Sequence, residues 1–167
     1  MKKILVIAMA LMPLMLMAQA KIGIVNSQQL FDLMPEKVAA EAHLKALSDK
    51  YHAEYALLQS EFDKKYADYQ TVAADPSMPE TIKERRVQEL QESDKKMREF
   101  ERRAADDIAA QREALTKPIT DKIQAAIRTA GEQGGFDLVL DTAVTPVAYA
   151  GPNTIDLMPV VKTLLGL

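Results

Sequence analysis

From Glu36 to Ala73 the chain runs without a glycine or a proline. Leu44, Leu47, Tyr51, Tyr55, Leu58, Phe62, Tyr66, Tyr69 and Ala73 recur through it at steps of 3, 4, 4, 3, 4, 4, 3 and 4. Such spacing draws one apolar stripe along a single helix. Its eleven-residue repeat predicts nearly straight packing on a partner helix. Ala74 to Glu80 breaks the pattern with Pro76 and Pro79, and Ser77 stands three residues before Glu80, the spacing of a capping box. A second helix is expected from about Met78 to Gly131, with Ile82, Leu90, Met97, Ala104, Ile108, Leu115, Ile119, Ile123 and Ile127 on one face and Gly131, Gly134 and Gly135 to stop it. At 1.5 Å per residue these helices measure roughly 57 and 80 Å, longer than a small core is wide. They must therefore pack on each other as an antiparallel hairpin with its tip near 74–80. Ala104, Ala105, Ala109 and Ala110 would let the backbones approach closely.

The flanks of this hairpin are short and different in kind. Lys21 to Asn26 alternates β-branched and small residues as a strand does, and Ser27 offers a cap for a short helix ending near Pro35. Beyond the hairpin, Phe136 to Asp141 and Pro146 to Ala150 read as two strands joined by a short turn. Thr154 to Leu165 reads as a closing helix capped by Thr154 or Asp156. The expected fold is α+β: a small strand body made of 21–35 and 132–167, with the arm 36–131 projecting from it. That body is a modest core for so long a chain, so self-association is the expected remedy.

The first twenty residues read as an export signal. Lys2 and Lys3 form its charged start, Ile4 to Met17 its apolar run, and Ala18-Gln19-Ala20 a small-residue cleavage site. The run is shorter than the roughly 20 residues of a spanning helix. Cleavage after Ala20 predicts a periplasmic protein. Losing Lys2 and Lys3 makes the remainder more acidic than the net charge of −3 for the whole chain, which argues against a nucleic-acid partner. There is no cysteine, so no disulfide can brace the fold.

Residues that could carry chemistry are scattered. His43 and His52 lie nine apart, which on a helix turns them to opposite sides, so they suit neither a metal nor a nucleophile. Asp106 and Asp107 are adjacent and diverge. Gly131, Gly134 and Gly135 follow a helix rather than precede one and lack the Lys-Ser/Thr of a phosphate loop. No catalytic residue, cofactor or metal is expected, and the protein should work by binding energy alone. Charges such as Glu84-Arg85-Arg86 and the mixed run Lys95 to Arg103 suit a solvated helix face laced with i,i+4 pairs. Tyr69, Val72 and Met78, near the tip, have few partners to bury them and are candidate client contacts. Pro118 inside the second helix removes a hydrogen bond at a cost of roughly 3 kcal/mol unless the helix bends, and is a candidate hinge.

At both ends the residues resemble a known family. Lys122 to Ala130, Phe136 to Asp141 and Val147-Ala148-Tyr149 are similar to the C-terminal body segment of Skp/OmpH chaperones, and Lys21 to Asn26 with Leu30-Phe31 to their N-terminal strand and helix. The resemblance implies a homotrimer whose body is a β-barrel built from all three chains. Its three arms would enclose unfolded outer-membrane proteins without ATP. Under that resemblance, Ile22, Ile24, Leu138, Val139, Leu140, Val147 and Tyr149 take the assembly role. The sequence departs from the basic family pattern near the tip, where Lys64, Lys65, Lys83, Arg85 and Arg86 are balanced by Asp68, Asp75, Glu80 and Glu84. This balance argues against capture of lipopolysaccharide or membrane surfaces by charge. The competing expectation is an envelope adaptor that docks a fixed partner on the hairpin.

Overall fold

A strand at the start of the fold needs neighbours, and β1 (Ile22–Val25) finds both of them more than a hundred residues away. The structure, a computed structural model, describes residues 20–167; the expected export signal lies outside the described residues except for Ala20, which is exposed. After β1 come α1 (Ser27–Leu33), α2 (Pro35–Ala74), α3 (Glu80–Gly134), β2 (Leu138–Asp141), β3 (Ile155–Asp156) and α4 (Met158–Leu165). The three strands form one sheet in the order β2-β1-β3, with β1 parallel to both neighbours.

Local chemistry explains the breaks. Asn26, not Ser27, caps α1: its side chain accepts the Gln29 N–H at 2.9 Å, which leaves the Ser27 N–H to donate to Asp141. Met34 alone separates α1 from α2, because the residue before Pro35 is held out of the helical region and stays extended at φ −69° and ψ 127°. Nor does Ser77 cap α3. Its N–H and hydroxyl both turn back to Asp75 Oδ1, and the helix starts at Glu80 behind Pro79 with no side-chain cap. Gly135 ends α3 at φ 61°, a left-handed conformation that suits glycine.

The C-terminal segment differs most from expectation. Pro146–Ala150 is not a strand; the third strand is Ile155–Asp156, and the closing helix begins only at Met158. Asp141 is the cause. Its carbonyl accepts the Thr145 N–H at 2.9 Å and its carboxylate the Ala143 N–H at 3.0 Å, so the chain turns away from β2. Pro146 has no N–H to begin a returning ladder. The connection instead passes to the other edge of β1. There the Asp156 carboxylate accepts the Met158 N–H at 2.8 Å, but the cap position of the last helix is Leu157, not Thr154 or Asp156, and it makes no side-chain cap bond.

One face of the sheet is closed. Val25 of β1, Leu30 and Met34 beside α1, Ile119, Ile123, Ala126 and Ala130 of α3, and Leu157, Val161 and Leu165 at α4 make one buried cluster, with Val139 of β2 packed against it. Each fully buried large side chain contributes roughly 1.5–3 kcal/mol. Gly23 is required here, since a Cβ at that position would stand 2.0 Å from Leu157 Cδ1.

Asp141 ties the two halves of the body through the Ser27 N–H and holds its own turn through the Ala143 N–H, both at 3.0 Å. Burial pushes its carboxyl up, but the hydrogen bonds from Ser27 and Ala143 outweigh this and hold it below the ordinary carboxylate range. A lowered carboxyl stabilises the fold above its unfolded pKa, and that stabilisation is lost as pH falls through the folded value. Asp141→Ala is expected to cost about 1–3 kcal/mol in urea unfolding at pH 7, and the difference from the parent chain should shrink in acid. An equal difference at pH 7 and pH 3 would refute the role of the carboxylate.

Candidate functional site

The two long helices are antiparallel. Glu36 pairs with Lys122 at 2.6 Å, Tyr51 with Asp107 at 2.7 Å, Glu61 with Lys96 at 4.0 Å and Lys65 with Ser93 at 2.6 Å, so the numbers rise on α2 as they fall on α3. With 40 and 55 residues, α2 and α3 are about 60 and 80 Å long at the usual rise. The base of α3 belongs to the body core through Ile119 and Ile123. The rest is an arm.

The seam of this arm departs from the apolar stripe expected of it. On α2 the residues turned inward from Tyr51 onward are Tyr55, Leu58, Phe62, Lys65, Tyr69 and Val72, and on α3 they are Leu90, Ser93, Met97, Phe100, Ala104, Asp107 and Gln111. Both sets alternate steps of three and four, a seven-residue repeat in place of the eleven-residue one. Lys65 holds the inward position that Tyr66 was expected to fill. Its ammonium donates to Ser93, which is only 8% exposed. Tyr51 sends its hydroxyl to Asp107 and packs edge-on against Phe100 at 5.8 Å. Hydrogen bonding to Asp107 raises the Tyr51 pKa, and hydrogen bonding to Glu101 does the same for Tyr55. Of the four alanines expected in the seam, Ala104 alone is buried.

The apolar residues displaced from the seam are on the outside. Tyr66 is 47% exposed and stacks on Phe62, Ile82 and Val87 are exposed on α3, and Leu57 is 61% exposed. Sequence reading missed Leu57 and Val87 altogether, since neither falls on an apolar stripe. The signal for Tyr66 was present: admitting a lysine whose stem lies along the seam restores an unbroken heptad. Tyr69, Val72 and Met78 near the tip are half-buried. Grooves that share Phe31, Ile108, Arg112 and Thr116 run together along the hairpin from α1 to Tyr55 and Phe100.

A second apolar surface lies on the body. Register places Ile22 beside Leu138 and Ile24 beside Leu140. These four alternate with Gly23, Val25 and Val139, so they occupy the face opposite the core, and none packs against the buried cluster. Leu138 is 48% exposed. Val139 faces the other way and spends its side chain on the chain's own core. Val147 is half-buried and Tyr149 is 82% exposed, both on the connection between β2 and β3.

Pro118 sits inside α3 next to Ile119, where the body core ends. Thr116 and Thr120 on either side turn their hydroxyls back to the carbonyls of Arg112 and Thr116, an arrangement that bends helices. Lys122 and Glu36 brace the same level and hold the Glu36 carboxyl below its ordinary range. Among the described residues no group of three or more His, Cys, Asp or Glu could hold a metal ion, and no helix is long and apolar enough to cross a membrane. His43 and His52 are both exposed.

The family profile described as outer membrane protein, OmpH-like, matches residues 21–165. The chain belongs to the OmpH-like family. A crystal structure from Caulobacter crescentus, provisionally assigned as an OmpH-like outer membrane chaperone, has the same fold: TM-score 0.70 at 16% identity, over 89% of this chain and 85% of that one. No curated protein matches the chain. Membership of the OmpH-like family supports a chaperone class, and the α+β fold with its long hairpin agrees with the structural neighbour.

A polar pair inside a seam gives up stability but restricts how the helices can pair. For this OmpH-like arm, Ser93→Ala leaves the Lys65 ammonium without its acceptor and should cost about 1 kcal/mol. Lys65→Met combined with Ser93→Ala should recover that loss or exceed it. Thermal melts of the two variants and the parent check this; a double variant as unstable as Ser93→Ala would overturn it.

Proposed function

We propose that the chain is an ATP-independent periplasmic holdase that keeps unfolded outer-membrane β-barrel proteins from aggregating, working as a homotrimer with its clients enclosed between the arms. The observation that carries this reading is the partial exchange of polar and apolar residues between the seam and the outside of the arm. Lys65, Ser93 and Asp107 interrupt an otherwise largely apolar seam, while Leu57, Tyr66, Ile82 and Val87 face outward. A purely structural hairpin gains stability by the opposite arrangement. Scattered outward apolar residues between alternating charges, including the ion pairs Lys45–Asp49, Arg85–Glu89 and Arg98–Asp94, offer many weak contacts and no single tight one. That suits a protein that must hold many clients and release them.

In this reading, residues 1–20 are an export signal removed after Ala20. The body is made of 21–35 and 132–167, and 36–131 form the hairpin, whose base from Ile119 of α3 onward packs into the body core. Ile22, Ile24, Leu138 and Leu140 on the open sheet face, with Val147 and Tyr149, meet neighbouring chains. This covers both the apolar face and the unpaired outer edges of the sheet. Client contact spreads from Tyr69, Val72 and Met78 at the tip to Leu57, Tyr66 and Val87 along the arm. Pro118, at the limit of the body core, is the pivot that fits the arms to clients of different size. The work is non-enzymatic and needs no cofactor. The balanced charge makes client binding less salt-dependent than in a basic relative.

The test is aggregation of several unrelated unfolded barrel proteins, without nucleotide, in the presence of the chain from Lys21 onward. Suppression for all of them by a trimer, seen by light scattering, is expected. Leu57, Tyr66 and Val87 changed together to serine should weaken suppression severalfold with the trimer intact. A monomer, or suppression of none, would sink the reading in favour of an adaptor. The pivot is checked separately, by spin-label distance distributions across the tips. Those distributions should narrow in Pro118→Ala, and unchanged widths would argue against it.

A further inference from the structure

The backbone nitrogen of Lys21 donates to Asp137 Oδ2 at 2.7 Å. This contact is one of a set. The Lys21 carbonyl accepts from the N–H groups of Asp137 at 3.0 Å and Leu138 at 3.4 Å. The Lys21 ammonium donates to the Gly134 carbonyl at 2.5 Å and lies 4.4 Å from the centre of the Phe136 ring. The residue just before β1 is thus gripped from backbone to side-chain tip by the turn that follows α3. Ala20, one residue earlier, is exposed, and the family match begins at Lys21.

An amide N–H needs no carboxylate to satisfy it; a carbonyl or water would serve. Ser27, Ala143 and Met158 also give their N–H groups to carboxylates, but on an α-ammonium the same carboxylate would meet an opposite charge and bind more strongly. We propose that Asp137 is the receptor for a new N-terminus: cleavage after Ala20 turns the Lys21 N–H into an α-ammonium that docks on the Asp137 carboxylate, so the body reaches full stability only in the processed chain. The inference rests on the export reading above. In the cleavage, water adds across the Ala20–Lys21 peptide bond under a signal-peptidase-class protease. The C–N bond breaks, Ala20 leaves as a carboxylate, and the freed Lys21 amine takes up a proton. A neutral hydrogen bond becomes a charge-assisted one, about twice as strong.

The surroundings favour this charge. Of the other charged groups on the elements packed around β1, Asp141 is occupied by Ser27 and Ala143, and Asp156 by Met158. Arg128 and Glu132 near the end of α3 are exposed, and Lys162 lies on α4. Among the described residues, only Asp137 bonds the Lys21 nitrogen through a charged group. An α-amino group ordinarily titrates near pH 7.7–8.0, and Asp137 raises that value in the folded chain. Stabilisation from a raised group is fully present below the unfolded pKa and is lost as pH rises through the folded one. The window therefore opens near pH 8.

Three proteins test the proposal: the chain starting at Lys21, the same chain with a short neutral extension ending in Ala20, and the Lys21-start chain carrying Asp137→Asn. At pH 7 the Lys21-start chain should melt about 2–4 °C above the extended one, and the gap should close above pH 10. Asp137→Asn should melt with the extended chain and show no loss specific to pH 8–10. No gap at pH 7, or a gap that survives Asp137→Asn, overturns the docking. Mass spectrometry of the protein recovered from the envelope separates the two levels. Lys21 as first residue is the expected result. Any other first residue overturns the export reading along with the docking, whereas Lys21 without a melting gap overturns the docking alone.

Discussion

Everything else in the molecule hangs on the pairing of β1 with strands that lie beyond the hairpin. Val25 of β1 receives hydrogen bonds from both the N–H and the hydroxyl of Thr142, and Ile24 receives one from Leu157, so the first strand is completed only by the last segment of the chain. The arm is in this sense one long insertion between two adjacent strands. Because β1 and β2 are parallel, the chain leaves the C-terminal end of one and must come back to the N-terminal end of the other, so the two long helices run out and then return to the body. That requirement sets them antiparallel before any side chain of the seam is considered. Asp141, which binds the start of α1 and shapes the turn after β2, is the polar counterpart of this closure. The apolar cluster behind the sheet is its hydrophobic counterpart.

Given that frame, the seam is free to be less than optimal, and it is. An arm held at its base by a core can place Lys65 and Asp107 between its helices without coming apart. The apolar area it gives up inside is shown outside at Leu57, Tyr66, Ile82 and Val87. The body makes the same exchange with Ile22, Ile24, Leu138 and Leu140. Both surfaces are costs for a single chain, and under the proposed function they are what its own copies at the sheet and unfolded clients along the arm would cover.

The hairpin was legible because its signals are long and redundant: two helices of several turns each, a double-proline break, glycines where the second helix stops. The body's sheet was legible as strands and not as topology. Four residues of alternating pattern at 138–141 identify a strand, but whether the next segment returns beside it depends on where the Asp141 carbonyl and carboxylate send their hydrogen bonds. Ile155–Asp156 is too short to carry a periodic signal, and it exists because Gly23 and Ile24 are there to pair with it. Asn26 took the cap from Ser27 for a similar reason, since the Ser27 N–H was already committed to a residue more than a hundred positions away. In the seam, the error at Tyr66 came from ranking side chains by apolarity. The buried stem of a lysine with an acceptor across the hairpin proved the better fit. Outward residues such as Leu57 and Val87 left no trace at all, because an isolated apolar side chain among charges has no period.

Parallel pairing at both edges of β1 also orders events in time. The hairpin's contacts are local and can form while the chain is still being made, whereas β1 must wait with both edges unsatisfied until Leu138 and then Ile155 arrive. For most of its synthesis this chain is an arm without a shoulder. The outward apolar residues of the arm are then displayed beside the chain's own unpaired strand.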